Sequence, residues 1–326
     1  MAWNFGESVA SSIEVKTGVE LLTAENANFF KAALDEAANM YAQTPIEGSK
    51  YFRVRNVDKN NYSNQSVLGI GLAQVNSDAE DLPIQNQQVG FDQIISNYVI
   101  RNSMAIAREV LETDRFGVMG DHSRALMDSG ERTIERLLAD AVNRGFGTAT
   151  PVSVAATTNL SLLCEDGLAL FSGERPQPRS AAGTWSNIDT GATLDADAVA
   201  SARLDFNTYL DGNGDLSPQM LEKVVVSPDL EDTMREISGS TLRVDTSLNT
   251  TNVVSGTPYE CWRWLQSGTV VYIGSGENGL EYHVRTSPQI KVWEDGSNPD
   301  IIRARLRMAL GTGCKRPGKF IGCEVT

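Results

Sequence analysis

At 326 residues the chain can bury a sizeable core, and 41% hydrophobic with 21% charged residues is the balance of a folded protein. A formal net charge of −14 excludes sequence-independent nucleic-acid binding by the whole surface, because phosphate contacts require clustered Lys and Arg. The four cysteines, Cys164, Cys261, Cys314 and Cys323, contain no CxxC pair, which argues against a zinc knuckle or a dithiol redox motif and fits a reducing, cytoplasm-type setting.

No apolar run approaches the roughly 20 residues of a membrane span, and the N-terminus "MAWNFGESVASSIEVKTG" has no basic-then-apolar secretory pattern. The first periodic segment is "NFFKAALDEAANMYAQ". Phe30, Ala33, Leu34, Ala37 and Tyr41 share one helical face, so a short amphipathic helix is expected. From Ser49 to about Ile94 the chain turns β-prone. "YFRVRNV" and "SVLGIGLAQV" read as strands, with "DKNNYSNQ" and "NSDAEDLPIQNQ" as polar turns. This stretch is too poor in apolar residues for its own core and predicts an extended two-stranded arm that must lie on something else.

Tyr98 to Val110 fits strand or helix. "GDHSRALMDSGERTIERLLADAVNRGFG" then gives the longest helical signal in the chain. Leu126, Met127, Ile134, Leu137, Leu138, Ala141 and Val142 form its apolar face, and Arg132–Glu135 and Arg136–Asp140 are opposite charges on the outer face. Gly145 is a reasonable stop, and Asp128 with Glu131 allows a break near Gly130. At 1.5 Å per residue such a helix is about 38 Å long, a rod rather than a compact core element.

In the middle third "DGLALF" reads as a strand and "SGERPQPRSAAGTWSN" as a loop. "TLDADAVASARLDFNTYLDG" reads as a helix capped by Thr193, "LEKVVVS" as a buried strand, and "SPDLEDTMREI" as a helix capped by Ser227. The closing residues predict long strands joined by "EDGSNPD". In "IIRARLRMAL" the alternation is strict: Ile302, Ala304, Leu306, Met308 and Leu310 face a core, and Arg303, Arg305 and Arg307 form a ladder of guanidinium groups on the other side. That ladder can be solvated, pair with carboxylates of a neighbouring subunit, or touch phosphates. With an acidic surplus the carboxylate reading ranks first.

Catalytic and binding motifs are thin. "DGNGDLSPQMLE" places Asp211, Asn213, Asp215 and Glu222 at calcium-loop spacing, but Leu216 stands where the loop needs Gly, so a polar turn is expected. Gly274, Gly276 and Gly279 match a dinucleotide fingerprint, but a strand follows them and Glu277 would repel phosphate, so a hairpin turn is expected. No nucleophile elbow, zinc-protease or P-loop motif is present. A Cys164–His283 pair has no local signature, and a hidden carboxylate pair is the remaining enzymatic route. No cofactor is called for.

Several segments together resemble the major capsid protein of tailed phages, the Hong Kong 97-type fold, in its Mu-like major head subunit branch. They are "MAIAREVLETDRFGVMGDHSRALM", "DGLALFSGERPQ", "LEKVVVSPDLEDTMREI" and "YHVRTSPQIKVWEDGSNPDIIRARLRMALG", and as an ordered pattern they span about Ser49 to Phe320. The resemblance implies an α+β fold with an N-terminal arm (1–48), an extended β-hairpin E-loop (49–95), a peripheral domain opening with a spine helix (96–148), an axial domain (149–280) and closing peripheral strands (281–326). It implies a structural, non-enzymatic protein. Copies would assemble as hexamers and pentamers into an icosahedral head, made in the host cytoplasm, around double-stranded DNA held without sequence specificity. Implied partners are a portal, a scaffolding protein or prohead protease, and a decoration protein; no membrane is involved. No scaffolding segment precedes the arm, so scaffold or protease is expected to be separate or removed, and the Lys and Asn of the family's covalent cross-link are not assignable. Rival readings are a soluble enzyme and another shell former of encapsulin type. Arg303, Arg305 and Arg307, with Asp78, Glu80 and Asp81 of the arm tip as one acidic counterpart, are the expected inter-subunit contacts.

Overall fold

The computed structural model describes residues 46–67, 73, 89–107, 109, 118–147, 152–154, 158–160, 163–176, 183–189, 191, 193–211, 214–243, 250–276, 279–295 and 298–325. The expected N-terminal helix lies outside them. In chain order the strands and helices are β1 (Arg53–Asn56), β2 (Asn61–Val67), β3 (Val89–Ser96), β4 (Tyr98–Ala107), α1 (Val118–Asn143), β5 (Val152–Val154), β6 (Thr158–Leu160), β7 (Arg175–Pro176), β8 (Thr184–Trp185), β9 (Ile188–Asp189), α2 (Ala196–Asn207), β10 (Leu221–Val226), α3 (Glu231–Gly239), β11 (Tyr259–Cys261), β12 (Thr269–Gly274), β13 (Leu280–Asp295), β14 (Asn298–Cys314) and β15 (Phe320–Glu324). A four-stranded sheet runs β1-β13-β14-β4, and a five-stranded sheet runs β11-β10-β12-β15-β9.

The helix α1 is continuous through Gly130. A Cβ there would stand 2.7 Å from Leu306 Cδ2 of β14, so this glycine serves close helix–sheet packing rather than a break. Leu126, Met127, Ile134, Leu137 and Leu138 meet Ala304, Leu306, Met308 and Leu310 in one core. The alternation in β14 is as expected: one face buried, with Arg303 and Arg307 exposed and Arg305 half-buried on the other.

The second sheet explains why "VVV" reads as fully buried. Val224 and Val226 face a core with Phe206 of α2 and Met234 of α3. Val225, between them, faces the core that contains α1. Both faces are covered, so no polar alternation survives.

Six expectations change. Ser227 stands ahead of a 3-10 turn (Pro228–Leu230) and makes no side-chain cap hydrogen bond, and Leu230 occupies the N-cap of α3. "YFRVRNV" is not an arm strand: β1 joins the main sheet, parallel to β13. The expected turn "DKNNYSNQ" instead supplies β2, which pairs with β3 to make the arm. The α2 cap is Asp195, whose Oδ1 accepts the Ala198 N–H at 2.7 Å, not Thr193. The Gly274–Gly276–Gly279 stretch is no hairpin, since it carries the chain from β12 in one sheet to β13 in the other. "DGLALF" is no strand, because a buried cation takes its backbone carbonyls.

That cation is Arg175, fully buried on β7. Its Nη1 lies 2.5 Å from Asp166 Oδ2, its Nε donates to Asn187 Oδ1 at 2.8 Å, and its Nη2 donates to the carbonyls of Leu170 (2.6 Å) and Ala169. Asn187 in turn donates to the Leu170 and Phe320 carbonyls. One guanidinium fork therefore folds the loop after α1 and ties it to the start of β15. A buried charge is tolerable only with such pairing.

Candidate functional site

Three places concentrate charged and buried polar groups: the sheet face of the arginine ladder, the base of the arm, and the approach of residues 46–51 to α1.

The ladder is larger than the sequence shows. In register across β13 and β4, Arg305 faces Lys291 and Ser103, Arg307 faces Gln289 and Arg101, and Arg303 faces Trp293 and Ala105. Arg101 and Lys291 are exposed, so three strands present a field of five cations. Arg305 also stacks with its guanidinium 5.5 Å from the Trp293 ring centre, worth about 0.5–1 kcal/mol. Among the described residues neither Arg305 nor Arg307 reaches a carboxylate. Like charges directly opposite in a sheet repel. Asp78, Glu80 and Asp81 lie outside the described residues.

The arm springs from a clamped elbow. Asn97 donates its backbone N–H to the Asn60 carbonyl (2.8 Å) and its side-chain amide to the Lys59 carbonyl (2.9 Å). Arg285 donates to the Asp58 carbonyl and to Asn60 Oδ1. Ile95 of β3 fills the space left by Gly313, where a Cβ would come within 2.4 Å of its Cδ1. Beneath sits a polar cluster around a buried carboxylate: Glu281 Oε2 is 3.0 Å from His283 Nε2, and Glu281 Oε1 is 3.2 Å from Arg55 Nε. Burial pushes the Glu281 carboxyl up, but His283 and Arg55 outweigh it and hold it below the usual range. Tyr62 of the arm meets the His283 ring edge-on at 5.2 Å. His283 is thus committed to the arm base, while Cys164 contacts Arg175 and bridges to Cys314; the two do not form a nucleophile–base pair. Beyond its base the hairpin pairs with itself, and Ile94 is 67% exposed.

At the third surface Glu135 leaves its expected place on the outer face of α1. It is 7% exposed, and both its carboxylate oxygens accept the Gly48 N–H, at 3.1 and 3.3 Å. The single-turn helix Gly48–Tyr51 has an orphan donor, and the carboxylate satisfies it. Burial raises the Glu135 carboxyl above its ordinary value, with the Gly48 N–H partly offsetting this. A raised folded-state value means a penalty present at neutral pH that fades as pH falls through it. Glu135→Gln keeps an acceptor and drops the penalty, so its melting temperature should equal or exceed the parent's at pH 7, with the gain shrinking toward pH 5. Glu135→Ala strands the donor and should cost about 1–3 kcal/mol. Thermal melts at the two pH values check both, and Glu135→Gln melting well below the parent at pH 7 would refute this account.

The acidic turn is a turn. The Asp211 N–H donates to the Asp215 carbonyl at 2.8 Å, Asp211 Oδ1 accepts the Asp215 N–H at 3.0 Å, and Gly214 takes φ +85°. Leu210 and Leu216 bridge across it. The carboxylate of Asp211 is thereby spent on backbone.

Two sheets strung on one long helix, with a self-paired hairpin arm, define a protein of the Hong Kong 97-type capsid fold. The phage capsid protein family matches over residues 102–321, and the chain belongs to that family. The match is to the family and is no finer than that, so the Mu-like branch is not singled out. A solved structure from Mycobacterium phage Patience is similar at 12% identity with a TM-score of 0.55, covering 97% of this chain and 95% of that one. The capsid of an empty GTA particle is similar at 11% identity and a TM-score of 0.54, covering 87% and 91%. A structure from Gordonia phage Cozz is similar at 11% and 0.53, covering 86% of each chain. No curated protein matches. At these identities the structures speak for the fold, and the family match for the role: a structural major capsid protein whose copies associate into the shell of a phage head.

Proposed function

We propose that the chain builds an icosahedral head from hexamers and pentamers, enclosing double-stranded DNA without reading its sequence, and that it catalyses no reaction. The observation that carries this is the arm: a hairpin clamped at its elbow, paired with itself, and presenting Ile94 where a second copy can cover it. A peripheral domain of α1 with the first sheet, and an axial domain of α2 and α3 with the second, fit the two cores. Because β1 belongs to the main sheet, the arm proper begins nearer Asn61 than Ser49. The basic field of Arg101, Lys291, Arg303, Arg305 and Arg307 docks an acidic surface of a neighbouring copy, for which the net charge of −14 supplies ample carboxylates. Asp78, Glu80 and Asp81 are one such group. A portal, a scaffolding protein or prohead protease, and a decoration protein complete the particle, which forms in the host cytoplasm. Electron microscopy of the purified chain, alone and with a scaffolding partner, should show shells or capsomers; a small, unassembled species under both conditions would overturn the reading.

A further inference from the structure

Cys164, in the loop after α1, and Cys314, the last residue of β14, face each other across an isolated parallel bridge. Residues paired in this way have Cα atoms about 4.8 Å apart, inside the window of about 4.4–6.8 Å that a disulfide requires. Both residues are 3% exposed. Arg175 Nη2 is 3.7 Å from Cys164 Sγ. Nothing in the shell's function uses these two sulfurs.

We propose that Cys164 and Cys314 are a latent disulfide site, closed by a small-molecule disulfide once the particle has left the reducing cytoplasm. Sulfur chemistry of this kind depends on compartment, and a head released from its host meets oxidising conditions. The exchange has two steps. Cys164 Sγ, losing its proton, attacks one sulfur of the oxidant, breaking the oxidant's S–S bond and releasing one small thiol that carries off a proton. Cys314 Sγ, losing its proton, then attacks the sulfur of Cys164 and expels the second small thiol. Two S–H bonds and one S–S bond are exchanged for one protein S–S bond and two small thiols. The Arg175 guanidinium places a cation beside the negative charge that develops on Cys164 in the first step. Burial raises the Cys314 thiol well above its ordinary range, so it stays protonated in the closed fold and attacks only after the loop has opened and water reaches it. The bond would join residues 150 positions apart, constraining the unfolded chain strongly, and would fasten the Arg175 loop to the closing hairpin.

The test uses the full chain, assembled or free, so it does not depend on shells forming. Intact protein is incubated with millimolar oxidised glutathione, quenched in acid, alkylated under denaturing conditions and digested. A linked peptide pair carrying Cys164 and Cys314 is expected. The melting temperature should rise by several degrees, reverse with dithiothreitol, and stay unmoved in Cys314→Ser, whose hydroxyl keeps most of the packing. Full alkylation of both thiols, glutathione adducts as the only products, or crosslinks through Cys261 or Cys323 alone would each overturn the proposal.

Discussion

Replacing Arg175 by leucine is expected to leave little folded protein at physiological temperature. The substitution strands Asp166, whose Oδ2 sits 2.5 Å from the guanidinium and whose side chain is 4% exposed. Removing one partner of a buried pair costs about 3–5 kcal/mol. The carbonyls of Ala169 and Leu170 and the side chain of Asn187 lose a donor too, each worth about 1 kcal/mol or more when nothing replaces it. Against a total stability of about 5–15 kcal/mol the sum decides the outcome. Arg175→Lys keeps the charge but offers no fork, so it should recover only part of the loss. Circular-dichroism melts of the soluble fraction measure this, and a leucine variant melting within a degree or two of the parent would show that the fork is dispensable.

Arg305→Glu is expected to do the opposite: spare the fold and abolish assembly. Within the subunit Arg305 is surrounded by cations, with Arg303 and Arg307 about 6.6 Å away along the strand and Lys291 opposite. A glutamate relieves that repulsion and forfeits the Trp293 stacking, two effects of similar small size, so the monomer should keep its stability within about 1 kcal/mol. On the proposed docking face the same change reverses a charge in the middle of the field, and every copy in a shell repeats it. Sedimentation and electron microscopy should show folded, unassembled protein. If empty shells form normally and only DNA retention fails, the face meets the genome and the carboxylate reading is wrong.

The long elements were legible in the sequence because their hydrophobic period is strong. α1 carries its apolar stripe, Leu126 to Val142, over nearly five turns, and β14 alternates through five core residues. "LEKVVVS" showed its two-sided burial as an unbroken apolar run. The chain failed to reveal what depends on distant partners. Arg175, in a loop rich in Pro, Gly and Ser, reads as solvated, and nothing local says that Asp166 and Asn187 converge on it. "DGLALF" carries a strand's composition, but its carbonyls belong to that guanidinium. Glu135 sits beside Arg132 in the sequence and looks like an outer-face pair, yet the Gly48 N–H, 87 residues away, turns it inward. The three arginines were visible on one strand. Their reinforcement by Arg101 and Lys291 required the registers of two other strands.

The order of strands also governs when the molecule can exist. In the first sheet the edges β1 and β4 are synthesised early, and the two strands that must lie between them, β13 and β14, come last. In the second sheet β9 has no neighbour until β15 arrives between it and β12. A nascent chain that has emerged through residue 279 therefore holds two edge strands of the first sheet without their partners and a second sheet still open, and these unpaired edges invite wrong partners. Their closure depends on contacts distant in sequence, which are slow to form. Ribosome-bound chains, however crowded on one message, have no completed surface with which to begin a shell. Nucleation is postponed to chains carrying residues 280–324, and the interval before it is when a chaperone has something to hold.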